Sequence, residues 1–236
     1  MDRLGVPALP ALILGVATGI GCGALNGFLI HRAGGVGAAF FLTTLATSSI
    51  FQGINLMITE GKPFYGIDAN FFLIGDTMLL GIPTAFIIMI VVAIILSVMF
   101  EKMKIGRQIL AYGANSKAAE IYGVSKFKVV FFSSIIAGAI AALAGLLGMI
   151  RIRAAQPNMG SDWMLMSFAA PLIGGTVLTG GKVNVFGTVI GALALTIISN
   201  GLVHLAVDVY WNTLIYGCVI MLAVSLDQLR HFTKRW

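Results

Sequence analysis

Seven apolar segments separated by short polar stretches constrain this chain more than any other feature. They lie at about 8–30, 38–58, 79–100, 129–150, 163–178, 185–203 and 211–226. A helix needs roughly 20 apolar residues to cross the hydrocarbon core of a bilayer. Most of the segments meet that length; the fifth is short and is interrupted by Pro171 and a glycine pair. The chain is 58% hydrophobic and only 10% charged, whereas a soluble domain carries about 25% charged residues. The fold class read from this pattern is an all-α polytopic membrane protein. It has about seven transmembrane or membrane-embedded helices in a single domain, residues 1–236.

Between the third and fourth segments lies a polar island, residues 101–128, with six Lys or Arg and two Glu. Cytoplasmic loops carry an excess of Lys and Arg. With the island inside and the spans alternating, 11 Lys or Arg fall inside and four outside, while three acids fall inside and six outside. This bias accounts for the net charge of +6 without nucleic acid as a partner. It puts the C-terminus in the cytoplasm and the N-terminus outside. The start of the chain lacks a signal-peptide pattern, so an outside N-terminus implies an odd number of further spans before Met1. Trp163, Tyr210 and Trp211 fall at outer boundaries, where amphipathic rings sit.

The island also carries a helix signal. Asn115 or Ser116 is a suitable N-cap, Lys117 to Tyr122 favours helix, and Gly123 is a natural stop. The short helix that results shows a face of Ala118, Ala119 and Tyr122. Two readings stand, a docking element for a partner protein and a capped connector.

Small residues recur at helical spacing, as Gly15/Gly19/Gly23/Gly27, Ala137/Ala141/Gly145 and Gly187/Gly191. They permit close helix packing in lipid or line a pathway. Asn26, Thr44, Gln52, Asn55 and Asn200 lie inside spans, together with Thr43. Uncharged amides and hydroxyls suit a pathway for a small neutral polar solute, and they equally suit interhelical hydrogen bonds. The stretch 163–192 reads as a broken-helix, glycine-rich region, with Gly174, Gly175 and Thr176 at either a tight turn or a gate. Broken backbone at membrane depth is buried in protein or faces water. Cys22 and Cys218 sit in apolar runs and read as buried small hydrophobes. No acidic residue falls at the centre of a segment, which disfavours ion coupling. No catalytic, metal-binding or Walker A pattern appears, so no cofactor, metal or enzymatic activity is expected. Arg151 and Arg153, on the outer side, suit either a partner's acidic rim or lipid headgroups.

Several motifs occur together and in order: Gly106-Arg107, Tyr112-Gly113-Ala114-Asn115, Ala118-Ala119 and Gly123-Val124; Ala155-Gln156-Pro157-Asn158 with Gly160; Gly174-Gly175-Thr176-Val177-Leu178-Thr179-Gly180-Gly181; Val185-Phe186-Gly187-Thr188 and Gly191-Ala192; and Asn200-Gly201-Leu202 with Tyr210-Trp211. Gly23-Ala24-Leu25-Asn26-Gly27 and Thr44-Leu45-Ala46-Thr47 precede them. The chain resembles the permeases of ribose-type ABC sugar importers over essentially its whole length. The resemblance implies a permease subunit of the bacterial inner membrane that moves a monosaccharide or similar small polar solute by alternating access. It also implies a second permease subunit, identical or different, surrounding lipid, a cytoplasmic ABC ATPase and an extracytoplasmic solute-binding protein. Asn115, Ser116, Ala118, Ala119, Glu120, Tyr122 and Gly123 would form the coupling helix. Asn26, Thr44, Gln52, Asn55, Gly174, Gly175, Thr176 and Asn200 are the candidate pathway or gate residues. Members of the family are longer at the amino end, and Pro171 replaces an aliphatic residue expected before the glycine pair. The alternative from another class is a non-ABC secondary carrier or channel for small polar solutes.

Overall fold

The computed structural model describes residues 8–34, 38–65, 78–79, 81–161, 163–177 and 180–205, with 211, 214–215, 217–218 and 221. The seventh apolar segment, the basic tail, Tyr210 and the pair Leu178-Thr179 thus lie wholly or largely outside the described residues. Eight helices are defined within them: α1 (Ala8–Arg32), α2 (Ala38–Thr59), α3 (Thr84–Lys102), α4 (Lys104–Ala114), α5 (Ser116–Ile121), α6 (Lys126–Ile152), α7 (Trp163–Ile173) and α8 (Val185–His204). A two-residue antiparallel ladder, β1 (Met78–Leu79) with β2 (Ile82–Pro83), precedes α3. In lipid every backbone N–H and C=O must be satisfied internally, and a helix does this within one segment. Helices α1, α2, α3, α6 and α8 are long and apolar enough to span; α7 is apolar but shorter.

The helix ends correct the sequence reading in three places. The third span begins at Thr84 rather than near 79. Gly81 has φ +79° in the preceding turn, and Pro83, which ends β2, has no N–H and disfavours helical backbone at the residue before it. The fifth segment ends as a helix at Ile173 rather than 178, and Pro171 lies inside it instead of breaking it. The stop comes at Gly175, with φ +80°. Its N–H donates to Leu172 O (3.1 Å), and that of Thr176 donates to Pro171 O (2.9 Å). This pair of bonds is a Schellman motif. The island, finally, holds two helices, of which α4 was not anticipated.

The chain divides into two compact units, one of residues 1–90 and 117–159, the other of 91–116 and 160–236. In the first, α1 packs along α6. A Cβ on Gly19 would collide with Ala142 and Gly138 of α6 and one on Gly23 with Ser134, while one on Gly27 would press tightly on Ser134 and Phe131. Gly15 meets Leu146. The glycine face of α1 is thus a packing face. Its partner is the row Ser134/Gly138/Ala142/Leu146, not Ala137/Ala141/Gly145; Gly145 has nothing within 4 Å. Lys126 donates from Nζ to Gly34 O, and His31 packs edge-on to Phe127, closing the same end of the pair. In the second unit α7 crosses α8 backbone to backbone. Gly174 lies against Gly187, and Gly191 against Ala170 O. Ala169, Ala170 and Leu195 form the buried core there. Elsewhere the spans expose large aliphatic side chains, such as Ile95, Ile190 and Ile197, as lipid-facing helices do. Cys22 and Cys218 are exposed rather than buried.

Candidate functional site

The island is built on two helices joined by one residue. Met103 is extended at the start of α4, with φ −86° and ψ 145°, so the chain turns a corner out of α3. Gly106 makes the corner possible, because a Cβ there would strike the backbone of Met99 and Phe100. Tyr112 buries its ring. Asn115 is extended, and its N–H donates to Ala111 O (3.1 Å). Then α5 begins.

Helix α5 has a defined stop. Gly123, at φ +80°, donates to Glu120 O, and Val124 donates to Ala119 O, both at 2.9 Å. This is a second Schellman motif, and it fixes both the length and the exit direction of α5. The face expected from Ala118, Ala119 and Tyr122 is split. Ala119 is only 5% exposed, so the chain itself covers it. Tyr122 is 87% exposed and Ile121 84%. Lys117 and Glu120 are exposed beside them, and Ser116 and Ala118 are partly covered. An outward Ile-Tyr pair flanked by opposite charges was not anticipated as the accessible surface.

The second group lies at the start of α8. Asn184 caps that helix, its Oδ1 accepting from Gly187 N–H at 3.0 Å. The N–H of Asn184 donates to Thr176 Oγ1 at 3.2 Å. The hydroxyls of Thr176 and Thr188 are 3.4 Å apart, and that of Thr188 donates to Asn184 O at 2.9 Å. At about 1.5 Å rise per residue, the 11 residues of α7 cover about half of the hydrocarbon core. The turn through Gly174, Gly175 and Thr176 therefore replaces helix with a hydroxyl and backbone groups. Asn184 and Thr188 were missed as members of this group; the capping spacing Asn184-x-x-Gly187 was the readable signal.

The remaining candidates are scattered. Asn26 on α1 is tied to Thr47 on α2, whose hydroxyl lies 3.0 Å from Asn26 Oδ1 and also 3.0 Å from the carbonyls of Thr43 and Thr44. Thr47 is 5% exposed, so this is an interhelical contact. Thr44 donates to Phe41 O at 2.8 Å. Gln52 and Asn55 share the exposed polar face of α2 with Ser48. Asn55 Nδ2 donates to Pro157 O at 2.9 Å. The loop carrying Pro157 is held again by paired backbone bonds between Phe64 and Ala155, 3.0 and 2.9 Å. Asn200 is exposed on α8, away from the Asn184 end.

The chain is similar to known proteins over nearly its whole length. A family model described as branched-chain amino acid transport system / permease component matches residues 2–224. The ribose import permease protein RbsC of Bacillus subtilis (strain 168) is 39% identical over 228 residues, covering 95% of this chain and 69% of that protein. The D-allose transport system permease protein AlsC of Escherichia coli (strain K12) is 37% identical over 223 residues, covering 94% and 68%. The galactose/methyl galactoside import permease protein MglC of Haemophilus influenzae is 31% identical over 244 residues, covering 99% and 71%. No solved structure matches the chain significantly. With matches over nearly its whole length and several spanning helices, the chain is a multi-pass inner-membrane protein of the ribose-type ABC sugar importer permease family.

Proposed function

We propose that this chain is the membrane subunit of an ABC importer that carries a monosaccharide or a similar polyol inward by alternating access. A separate cytoplasmic ATPase supplies the energy, an extracytoplasmic solute-binding protein delivers the solute, and a second permease subunit completes the pathway. The island lies in the cytoplasm, and α5 with its Ile121–Tyr122 pair seats in a cleft of the ATPase. The exposed polar face of α2, with Thr44, Gln52 and Asn55, lines the pathway, and the Gly174–Thr176 return beside Asn184 and Thr188 gates it.

One observation carries the reading. Similarity to ribose, allose and galactose import permeases runs through the parts of the fold that a simple bundle does not need, the α4–α5 island and the broken α7–α8 hairpin. Uncharged polar groups suit a neutral solute, because they exchange hydrogen bonds with it without trapping it. Co-purification tests the docking: the ATPase is expected to be retained by the wild-type chain and lost with Tyr122→Asp. Equal retention by both would exclude α5 as the contact.

A further inference from the structure

Helix α4 touches more than the corner at Gly106. At its other end Gly113 lies against the Gly180–Gly181 turn that leads from α7 into α8. A Cβ on Gly113 would stand 3.0 Å from Gly181 N and 3.4 Å from Gly180 Cα. A Cβ on Gly180 would stand 2.6 Å from Gly113 O, and one on Gly181 would stand 2.8 Å from Ala114 Cβ. The contact is therefore almost wholly backbone on backbone, with only the short Ala114 methyl beside it and no flexible side chain between to absorb a displacement. The described residues of the turn are tied to one another. Gly180 donates to Val177 O at 3.1 Å, and Val177 donates to Lys182 O at 3.3 Å. Two residues after Lys182, Asn184 caps α8 and holds Thr176.

We propose that Gly113, Gly180 and Gly181 are positioning residues that form a rigid joint transmitting movement of the island to the α7–α8 hairpin. The proposal rests on the reading of α5 as the motor contact. Asn115 links α5 to α4 along the chain; displacement of α4 moves the turn, and the turn moves the capped start of α8 with the Thr176–Thr188 group. Close-packed elements pass on displacement because they switch between discrete arrangements and do not deform continuously. The two partners in the contact have different constraints. Gly180 and Gly181 sit at φ +90° and +84°, where any side chain is strained whatever its neighbours. Gly113 is helical, so its glycine serves the contact alone.

Gly113→Ala is accordingly the informative variant. Alanine favours the helix, so α4 itself is not weakened, while the added methyl wedges the joint. Two quantities separate the joint from the docking reading: retention of the ATPase, and solute imported per ATP hydrolysed. Normal retention with that ratio reduced about five-fold or more is expected, the scale of an ordinary coupling between sites. An unchanged ratio would overturn the joint while leaving the docking intact. Loss of ATPase retention would also overturn it, because Gly113 would then act on the docking surface. If the variant fails to accumulate, spin labels at the exposed Arg107 and Lys182 decide the matter in an otherwise glycine-intact chain. A distance that stays constant between nucleotide-free and ATP-bound complexes is expected, and a distance that changes with nucleotide would overturn the joint.

Discussion

Gly23 and Gly123 show how one residue type answers two physical demands. Gly23 lies in the middle of α1, where lack of a side chain lets the Ser134 carbonyl and Gly138 of α6 approach. Gly23→Val should separate the two helices and lower the melting temperature of the detergent-solubilised protein. A loss of about 1–3 kcal/mol, the usual cost of overpacking, is expected; an unchanged melting temperature would mean that the two helices are not held by this contact. Gly123 has open space around it but a left-handed backbone, φ +80°. Gly123→Ala should cost about 1–2 kcal/mol locally, fray α5 and weaken ATPase retention without lowering insertion. Ala119 invites a different reading from the one its sequence neighbours suggest. Because the chain covers it, Ala119→Arg should reduce the amount of folded protein, whereas Ile121→Asp should leave that amount unchanged and abolish ATPase retention. Quantifying membrane-inserted protein beside bound ATPase for both variants distinguishes a structural residue from a contact residue.

At the scale of elements, the long helices were legible because each is a continuous apolar run, and lipid leaves the backbone of such a run one solution. Their ends were less legible where an end depends on a contact distant in sequence or on left-handed backbone. The start of α3 is set by Gly81 and Pro83, and the end of α7 by Gly175 rather than by the earlier Pro171. Helix α4 escaped notice because its residues, Lys104 to Ala114, read as part of a charged loop; its buried Tyr112 and the glycines at its two ends become meaningful only beside Met99 and Gly181. The candidate site was legible in part for the same reason. The Gly123 stop is local chemistry and could be read directly. Which of Ala119 and Ile121 faces outward depends on what covers α5, and no local pattern contains that. The partner of Asn26 was equally hidden, since Thr47 lies 21 residues away. One expectation belongs to this scale: Asn184→Ala should remove the side-chain cap of α8 at about 1 kcal/mol, while the backbone N–H of residue 184 still donates to Thr176. Faster amide exchange at Gly187 and Thr188 is the measurement; unchanged exchange would show that the cap does not hold the start of α8.

For the whole molecule, the described residues include five helices long and apolar enough to span a membrane and one shorter apolar helix, and the island adds a polar stretch between two of them. Import driven by ATP requires a polar surface on which a soluble motor can act, whereas a carrier driven by an ion gradient requires titratable groups along the pathway. Among the described residues the acidic side chains are Glu60, Glu101 and Glu120, each at or beyond the end of an apolar span. The central claim is tested most directly by uptake of radiolabelled ribose, allose and galactose into vesicles containing this chain, its ATPase and its solute-binding protein. Uptake of at least one sugar that requires ATP and disappears with Ile121→Asp is the expected result. Uptake that proceeds without the ATPase, or that follows a proton or sodium gradient in the absence of ATP, would contradict it.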